Sequence, residues 1–149
     1  MLAKLRRWLR RQRFIQPERA RHQLEAGPVG MVEHLHAAAL EEKAVHPQER
    51  IDCSAGSIQV ADRVIKDAHR NGVLTFTDVI TESSNVGTIK VATRLGKARY
   101  FQYITAFGFG RKTGVDLPGE IPGLVKDYRL WSGVSLGSIS IGQEIGVTP

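Results

Sequence analysis

Thr75–Leu95 reads TFTDVITESSNVGTIKVATRL, and this stretch decides how the rest of the chain is organised. Apolar residues recur at helical spacing before the triplet Ser83-Ser84-Asn85 and again after it. Serine and asparagine compete with the helical backbone for hydrogen bonds, so they favour caps and turns over helix interiors. The pattern therefore predicts two helices joined at a polar corner, with Ser84 or Asn85 as the N-cap of the second helix.

The same triplet is a candidate functional site, because a fixed corner could present Ser83 and Asn85 to a cleft. A helix cap alone would also explain a bare S-x-N triplet, since two specified residues recur by chance in many chains. The flanks favour a site: the run from Gly72 to Gly96 resembles the second active-site motif of the class B, high-molecular-mass penicillin-binding protein transpeptidases. By that resemblance, Ser83 is expected to relay a proton to the leaving amine and Asn85 to hold a substrate amide.

Composition and charge limit the other possibilities. The chain has 149 residues, of which 42% are apolar, which suits one domain with a real core. A single cysteine, Cys53, excludes an internal disulfide and argues against a cysteine-cluster metal site, so no cofactor or metal is expected. No apolar run reaches membrane-spanning length and no secretory signal is visible, so the sequence alone predicts a cytoplasmic or undetermined location.

The net charge of +6 is concentrated in a basic arm, residues 1–22, which holds eight basic residues and one acidic residue. The remaining residues, 23–149, carry 13 basic and 14 acidic residues and are expected to form the partial transpeptidase-like domain. Within the arm, residues 1–14 place four apolar side chains on one helical face and arginines on the other. Such a helix could lie on an anionic membrane surface; a short solvated helix or arm is the simpler interpretation. No specific nucleic-acid partner is expected.

The segment before AAALEE departs most from the family pattern. In the resembled enzymes an E-P-G-S-x-x-K motif opens this helix; its serine is the acyl-accepting nucleophile, and its lysine one turn later activates that serine. Here Pro28 stands where the serine is expected, and Met31 stands where the lysine is expected, or Val32 if one residue is inserted. No serine in the chain is followed three residues later by lysine. Matching flanks around a scrambled core suggest a reading-frame lesion or a decayed gene.

Lys112-Thr113-Gly114 matches the letters of the family's third motif, K-T-G, which lies on a strand lining the cleft. The context differs, because residues 108–120 read GFGRKTGVDLPGE and resemble a family segment that comes well before that strand. We therefore interpret these three residues as part of a loop. The strand that carries the true third motif is expected after Pro149, and the chain is expected to be truncated before it.

Weak periodicity elsewhere completes the expected fold. Ser57–Val60 and Arg63–Lys66 read as a small hairpin, and Lys97–Phe107 reads as a helix with an aromatic stripe that packs in the core. The resembled domain packs a five-stranded antiparallel sheet against helices. We thus expect a predominantly α chain with a short β-hairpin, the helical part of the α/β penicillin-binding protein transpeptidase fold without its later sheet strands.

The resemblance implies peptidoglycan D,D-transpeptidation, with stem peptides and β-lactams as ligands and an inner-membrane anchor that carries a periplasmic domain. The missing nucleophile predicts that this chain is inactive. The alternative function is a non-catalytic module that docks on cell-wall synthesis proteins or on the membrane surface. A serine β-lactamase relative is a third possibility, and both the DLPGE segment and the missing nucleophile speak against it.

Overall fold

The computed structural model describes residues 28–115 and 118–147, with side chains from Val32 onward. Residues 1–27, which include the basic arm, therefore lie outside the described residues, as do residues 148–149 and the first two residues of DLPGE. The boundary expected between residues 22 and 23 likewise stays a prediction.

The described chain is predominantly α-helical. Its helices are α1 (Pro28–Glu41), α2 (Phe76–Thr81), α3 (Asn85–Leu95), α4 (Lys97–Ala106) and α5 (Ser135–Ser140), with a 3-10 turn at Tyr128–Leu130. The helix–corner–helix prediction is confirmed by α2 and α3, and the aromatic helix by α4. Helix α5, which lies among glycines and serines, was not predicted. Helix α1 begins at Pro28. Proline suits the first helical turn because its missing N–H has no intrahelical partner there.

Two small antiparallel sheets accompany these helices. Strand β2 (Ser57–Val60) pairs with β3 (Arg63–Lys66), which confirms the hairpin and its boundaries. Strand β1 (Arg50–Asp52) pairs with β4 (Val73–Thr75), a pairing that was not predicted because each strand has only three residues. Strand β4 leads directly into α2.

Helix α3 contributes to both apolar clusters, as α1 does, and it also packs against α2, α4 and α5. The first cluster joins α1, α3, α4 and α5 to Trp131 through Leu35, Ala38, Ala92, Leu95, Tyr100, Ile104 and Ile139. The second joins α1, α2 and α3 to β1 through Ala39, Val45, Ile51, Cys53, Phe76, Val79, Val86 and Val91. Cys53 is fully buried in the second cluster. A helix packed on this many sides fixes both of its ends, including the corner where it begins.

Capping fixes the start of each of the two helices at the corner. Thr75 is the N-cap of α2 and forms a capping box with Asp78: each side chain bonds the other residue's backbone N–H. Ser84 is the N-cap of α3, and its hydroxyl accepts from the Gly87 N–H at 3.0 Å. Of the two predicted N-caps, Ser84 is the one observed, because it is the last non-helical residue before α3.

Candidate functional site

The corner between α2 and α3 is a sharply turned segment. Ser83 has a backbone φ of +50°, in the left-handed region that non-glycine residues seldom adopt. Ser83 is exposed, whereas Ser84 beside it is 1% exposed. The left-handed residue therefore turns the chain so that one serine is buried as a cap and the other stays at the surface.

The hairpin holds this corner from outside the two helices. The Asp67 carboxylate, just after β3, accepts from the Ser84 hydroxyl at 2.9 Å and from the Val86 N–H at 2.9 Å. It also accepts from the Asn71 side-chain amide at 3.1 Å. One carboxylate thus satisfies a buried hydroxyl and a first-turn N–H of α3, and it ties both to the hairpin. This bracing role of Asp67 was not predicted from the sequence.

Asn85 is anchored by the same part of the hairpin. Its side-chain Nδ2 donates to the Lys66 carbonyl at 2.9 Å. This bond fixes the rotation of the amide, and Oδ1 accepts no hydrogen bond from the described part of the chain. The last residue of β3 therefore sets the position of the residue expected to hold a substrate amide.

A cavity of about 260 Å³ lies between the N-terminal half of α1 and the corner. Three aliphatic side chains form its apolar wall, Val32, Ile80 and Ile141. The rest of its lining is polar: Glu33, His36, Ser83, Asn85 and Thr88. The structure thus brings both predicted site residues of the second motif to one cavity, and it places the helix expected to carry the nucleophile along the opposite side.

His36 is the lining residue whose importance the sequence did not reveal. Its side chain is 4% exposed, and its ring meets Phe76 edge to face with centroids 5.3 Å apart. Its Nε2 lies 3.3 Å from the Thr88 hydroxyl, while Nδ1 is buried and has no hydrogen-bond partner among the described residues. Burial lowers the pKa of His36 to about 4, so the ring is uncharged at neutral pH. The sequence gives no sign of this burial, because it depends on contacts with residues far along the chain.

The stretch Lys112-Thr113-Gly114 does not reach this cavity. It lies in a loop outside the described strands, where the Thr113 and Gly114 N–H groups donate to the Glu120 carboxylate. A hydrogen bond from the Thr113 side chain, together with these backbone bonds, lowers the pKa of Glu120. The loop is thus closed on itself by one carboxylate, as expected for a structural turn.

The described residues contain neither a membrane-spanning helix nor a group of metal-binding side chains. Among the helices of residues 28–115 and 118–147, none is both long and apolar enough to cross a bilayer. Within the same ranges, no three side chains of the histidine, cysteine or acidic type gather in a metal-binding arrangement. The polar side chains that line the cavity are those of a glutamate, a histidine, a serine, an asparagine and a threonine.

Comparison with known proteins places the corner and the cavity in a family context. The family model described as the penicillin binding protein transpeptidase domain matches residues 34–149. Two mycobacterial proteins named penicillin-binding protein PbpB are similar: that of Mycolicibacterium smegmatis is 40% identical over 114 residues, and that of Mycobacterium tuberculosis is 37% identical over 126 residues. These matches cover 75% and 83% of this chain, but only 17% and 18% of those relatives.

Solved structures agree with the sequence comparison. Penicillin binding protein 3 of M. tuberculosis, complexed with aztreonam, superposes with a TM-score of 0.73 at 38% identity, covering 83% of this chain and 28% of that one. A peptidoglycan glycosyltransferase from Burkholderia ambifaria superposes with a TM-score of 0.76 at 24% identity, covering 82% of this chain and 38% of that one, and supports the fold alone. The expected partial, α-rich transpeptidase fold is therefore confirmed.

Proposed function

Because the chain belongs to the penicillin-binding protein transpeptidase family, we propose that it is a member that cannot form the acyl-enzyme intermediate. The family is one of peptidoglycan- and β-lactam-binding transpeptidases. The observation that carries the proposal is internal to the chain: α1 begins at Pro28, where the resemblance expects the nucleophilic serine. The chain spans less than a fifth of the length of its curated mycobacterial relatives, so its lack of transpeptidase activity is proposed and not shown.

The chemistry of the replaced residues supports this inactivity. Proline has no hydroxyl to attack a carbonyl carbon, and methionine has no group that accepts a proton at neutral pH. Val32, the alternative lysine position, lines the cavity with an aliphatic side chain. A nucleophile and its activating base act as a unit, so the loss of both removes the covalent intermediate itself.

The second motif keeps a geometry suited to ligand binding. We assign Ser83 the proton-relay position and Asn85 the amide-holding position, as the resemblance predicts. Both line the cavity, and the anchor from Asn85 to Lys66 leaves Oδ1 as the atom that can accept from a ligand N–H. Stem peptides and β-lactams are the expected ligands, and they would bind without acylating the protein.

Labelling with a fluorescent penicillin tests the proposal. The purified chain is incubated with the probe beside an intact class B transpeptidase, and intact mass spectrometry with peptide mapping follows. We expect no adduct on this chain under conditions that label the intact enzyme. A Ser83→Ala variant serves as the matched control. A stable adduct in the wild type that maps to Ser83 and disappears in the variant would contradict the proposal and make Ser83 a nucleophile.

A binding module is the second candidate function, favoured by the concentration of positive charge in residues 1–22. We expect residues 1–14 to bind vesicles that contain anionic lipid, with an affinity that falls as salt rises. Co-sedimentation of the full chain and of a chain lacking residues 1–14 measures this. Equal sedimentation of both chains would exclude the arm as the membrane-binding element. The inner-membrane anchor and periplasmic location expected from the resemblance stay predictions.

A further inference from the structure

The segment between β3 and β4 contains an asparagine followed by a glycine. Asn71-Gly72 is the only Asn-Gly pair in the chain, and the other asparagine, Asn85, is followed by a valine. Both residues of the pair lie outside the described strands, with Asn71 half-buried and Gly72 exposed. Glycine gives the backbone more conformational freedom than any other residue, because it has no Cβ. At this pair the backbone nitrogen after the asparagine can therefore approach the side-chain amide with little steric hindrance.

The structure leaves the Gly72 nitrogen available for such an approach. Its N–H donates to no group within residues 28–115 and 118–147, whereas its carbonyl accepts from the Cys53 N–H at 3.0 Å. Of the described residues, none other than its chain neighbours has an atom within 4 Å of the position that a Cβ would take at Gly72. The nitrogen is thus neither held by a hydrogen bond nor shielded by packing.

Asn71 is also bonded to the carboxylate that braces the corner. Its Nδ2 donates to Asp67 Oδ2 at 3.1 Å, and the same oxygen accepts from the Ser84 hydroxyl at 2.9 Å. The other oxygen of Asp67 accepts from the Val86 N–H at 2.9 Å. The Asn71 amide therefore donates to the oxygen that also holds the N-cap of α3. A carboxylate in place of this amide would put two negative charges at hydrogen-bond distance, which is unfavourable.

We propose that Asn71 is a site of spontaneous deamidation and that its product loosens the corner. The Gly72 nitrogen loses its proton to the solvent and attacks the Asn71 Cγ, and the Nδ2 group leaves as ammonia. Water then opens the resulting cyclic imide at either of its two carbonyl carbons. One product is aspartate, and the other is isoaspartate, in which the main chain runs through the former side chain. Each event consumes one water molecule and releases one ammonia molecule, so no oxidant or reductant is required.

Both products remove the donor to Asp67 and add a carboxylate beside it. The Ser84 hydroxyl and the Val86 N–H still have Asp67 as their acceptor, but the new charge repels that acceptor. Isoaspartate also lengthens the main chain immediately before Gly72, whose carbonyl holds the Cys53 N–H next to β4. The chain thus carries a chemical ageing site that is one residue away from the corner in the hydrogen-bond network.

Peptide mapping by mass spectrometry tests the modification after incubation of the full chain in mildly alkaline buffer, compared with a chain mapped without incubation. We expect the peptide that contains Asn71 to gain about 1 Da and to elute as two products, while Asn85 stays unmodified in the same sample. Gly72→Ala should slow the gain about fivefold, since a Cβ restricts the backbone that has to bend towards the amide. No gain at Asn71, an equal gain at Asn85, or an equal rate in Gly72→Ala would overturn the assignment.

Heteronuclear NMR of the incubated chain tests the effect on the corner. We expect the amide resonances of Ser84 and Val86 to shift in the incubated wild type and to stay in place in Gly72→Ala incubated for the same time. Asn71→Asp adds the carboxylate without lengthening the main chain and should shift the same two resonances. Unshifted Ser84 and Val86 resonances in a wild-type sample whose mass shows deamidation would overturn the loosening. Penicillin labelling is read independently, so the inference and the proposed inactivity can fail separately.

Discussion

Burial of His36 should make the stability of the folded chain sensitive to acid. His36 has a pKa of about 4 in the folded chain, compared with 6.5 for an unperturbed imidazole. Between these two values the unfolded chain binds a proton that the folded chain does not, so stability falls as the pH decreases. The contribution is fully present above pH 6.5, and it is lost progressively as the pH falls to about 4. A difference of about 2.5 in pKa corresponds to a loss of about 3 kcal/mol.

Urea unfolding monitored by circular dichroism measures this loss between pH 7.5 and pH 4. We expect His36→Gln to lose about 3 kcal/mol less stability than the wild type over this range, because glutamine does not titrate. The amide can still bond the Thr88 hydroxyl, so the variant keeps the contact seen in the structure. His69→Gln is the control for the same substitution at an exposed position.

Direct titration of His36 in the wild-type chain tests the same pKa without any substitution. The carbon-bound ring protons of His36 in the wild-type chain report its protonation by NMR. We expect them not to titrate between pH 7.5 and pH 5.5. A midpoint near 6.5 in the folded chain, or identical pH dependence of stability in the wild type and His36→Gln, would refute the reasoning from burial.

Two further predictions concern the packing and bracing of the corner. Gly87→Ala should destabilise the chain by about 1–3 kcal/mol, because a Cβ there would lie 2.6 Å from a Val79 methyl carbon, whereas Gly72→Ala meets nothing within 4 Å and serves as the control in the same denaturation assay. Little change in Gly87→Ala would mean that Val79 moves aside freely. Asp67→Ala should cost about 1–3 kcal/mol and shift the amide resonances around the corner, because it leaves a buried hydroxyl and an N–H unpaired. Asp62→Ala, at the exposed hairpin tip, should do neither, and equal effects of the two aspartate variants would count against the bracing role.

Local patterns predicted the elements that depend on neighbouring residues. The hairpin limits, the α2–corner–α3 arrangement and the cap at Ser84 follow from periodicity and from the hydrogen-bonding habits of serine and asparagine. The strand pair β1–β4 was not predicted, because strands of three residues have too few alternating positions to form a recognisable pattern. Helix α5 was obscured by the glycines and serines around it.

The site was only half predictable. Ser83 and Asn85 were identified through resemblance, and the structure brings both to one cavity. The contacts of Asp67 and the burial of His36 depend on residues distant in the chain, which no local window contains. The anchor of Asn85 on a backbone carbonyl has no sequence signature at all, because every residue carries that carbonyl.

The bracing of the corner by the hairpin also has a consequence for the order of folding. The bonds from the corner to Lys66 and Asp67 join residues 17 to 19 positions apart, whereas the hairpin and the flanking helices close over a few residues each. Closing the longer loop costs chain entropy before any of these bonds compensates for it. Isolated hairpins form within microseconds, so we expect the β2–β3 ribbon to form early and to serve as the surface on which the corner is completed. A peptide covering α2 and α3 alone would then contain the second motif without the geometry that makes it a site.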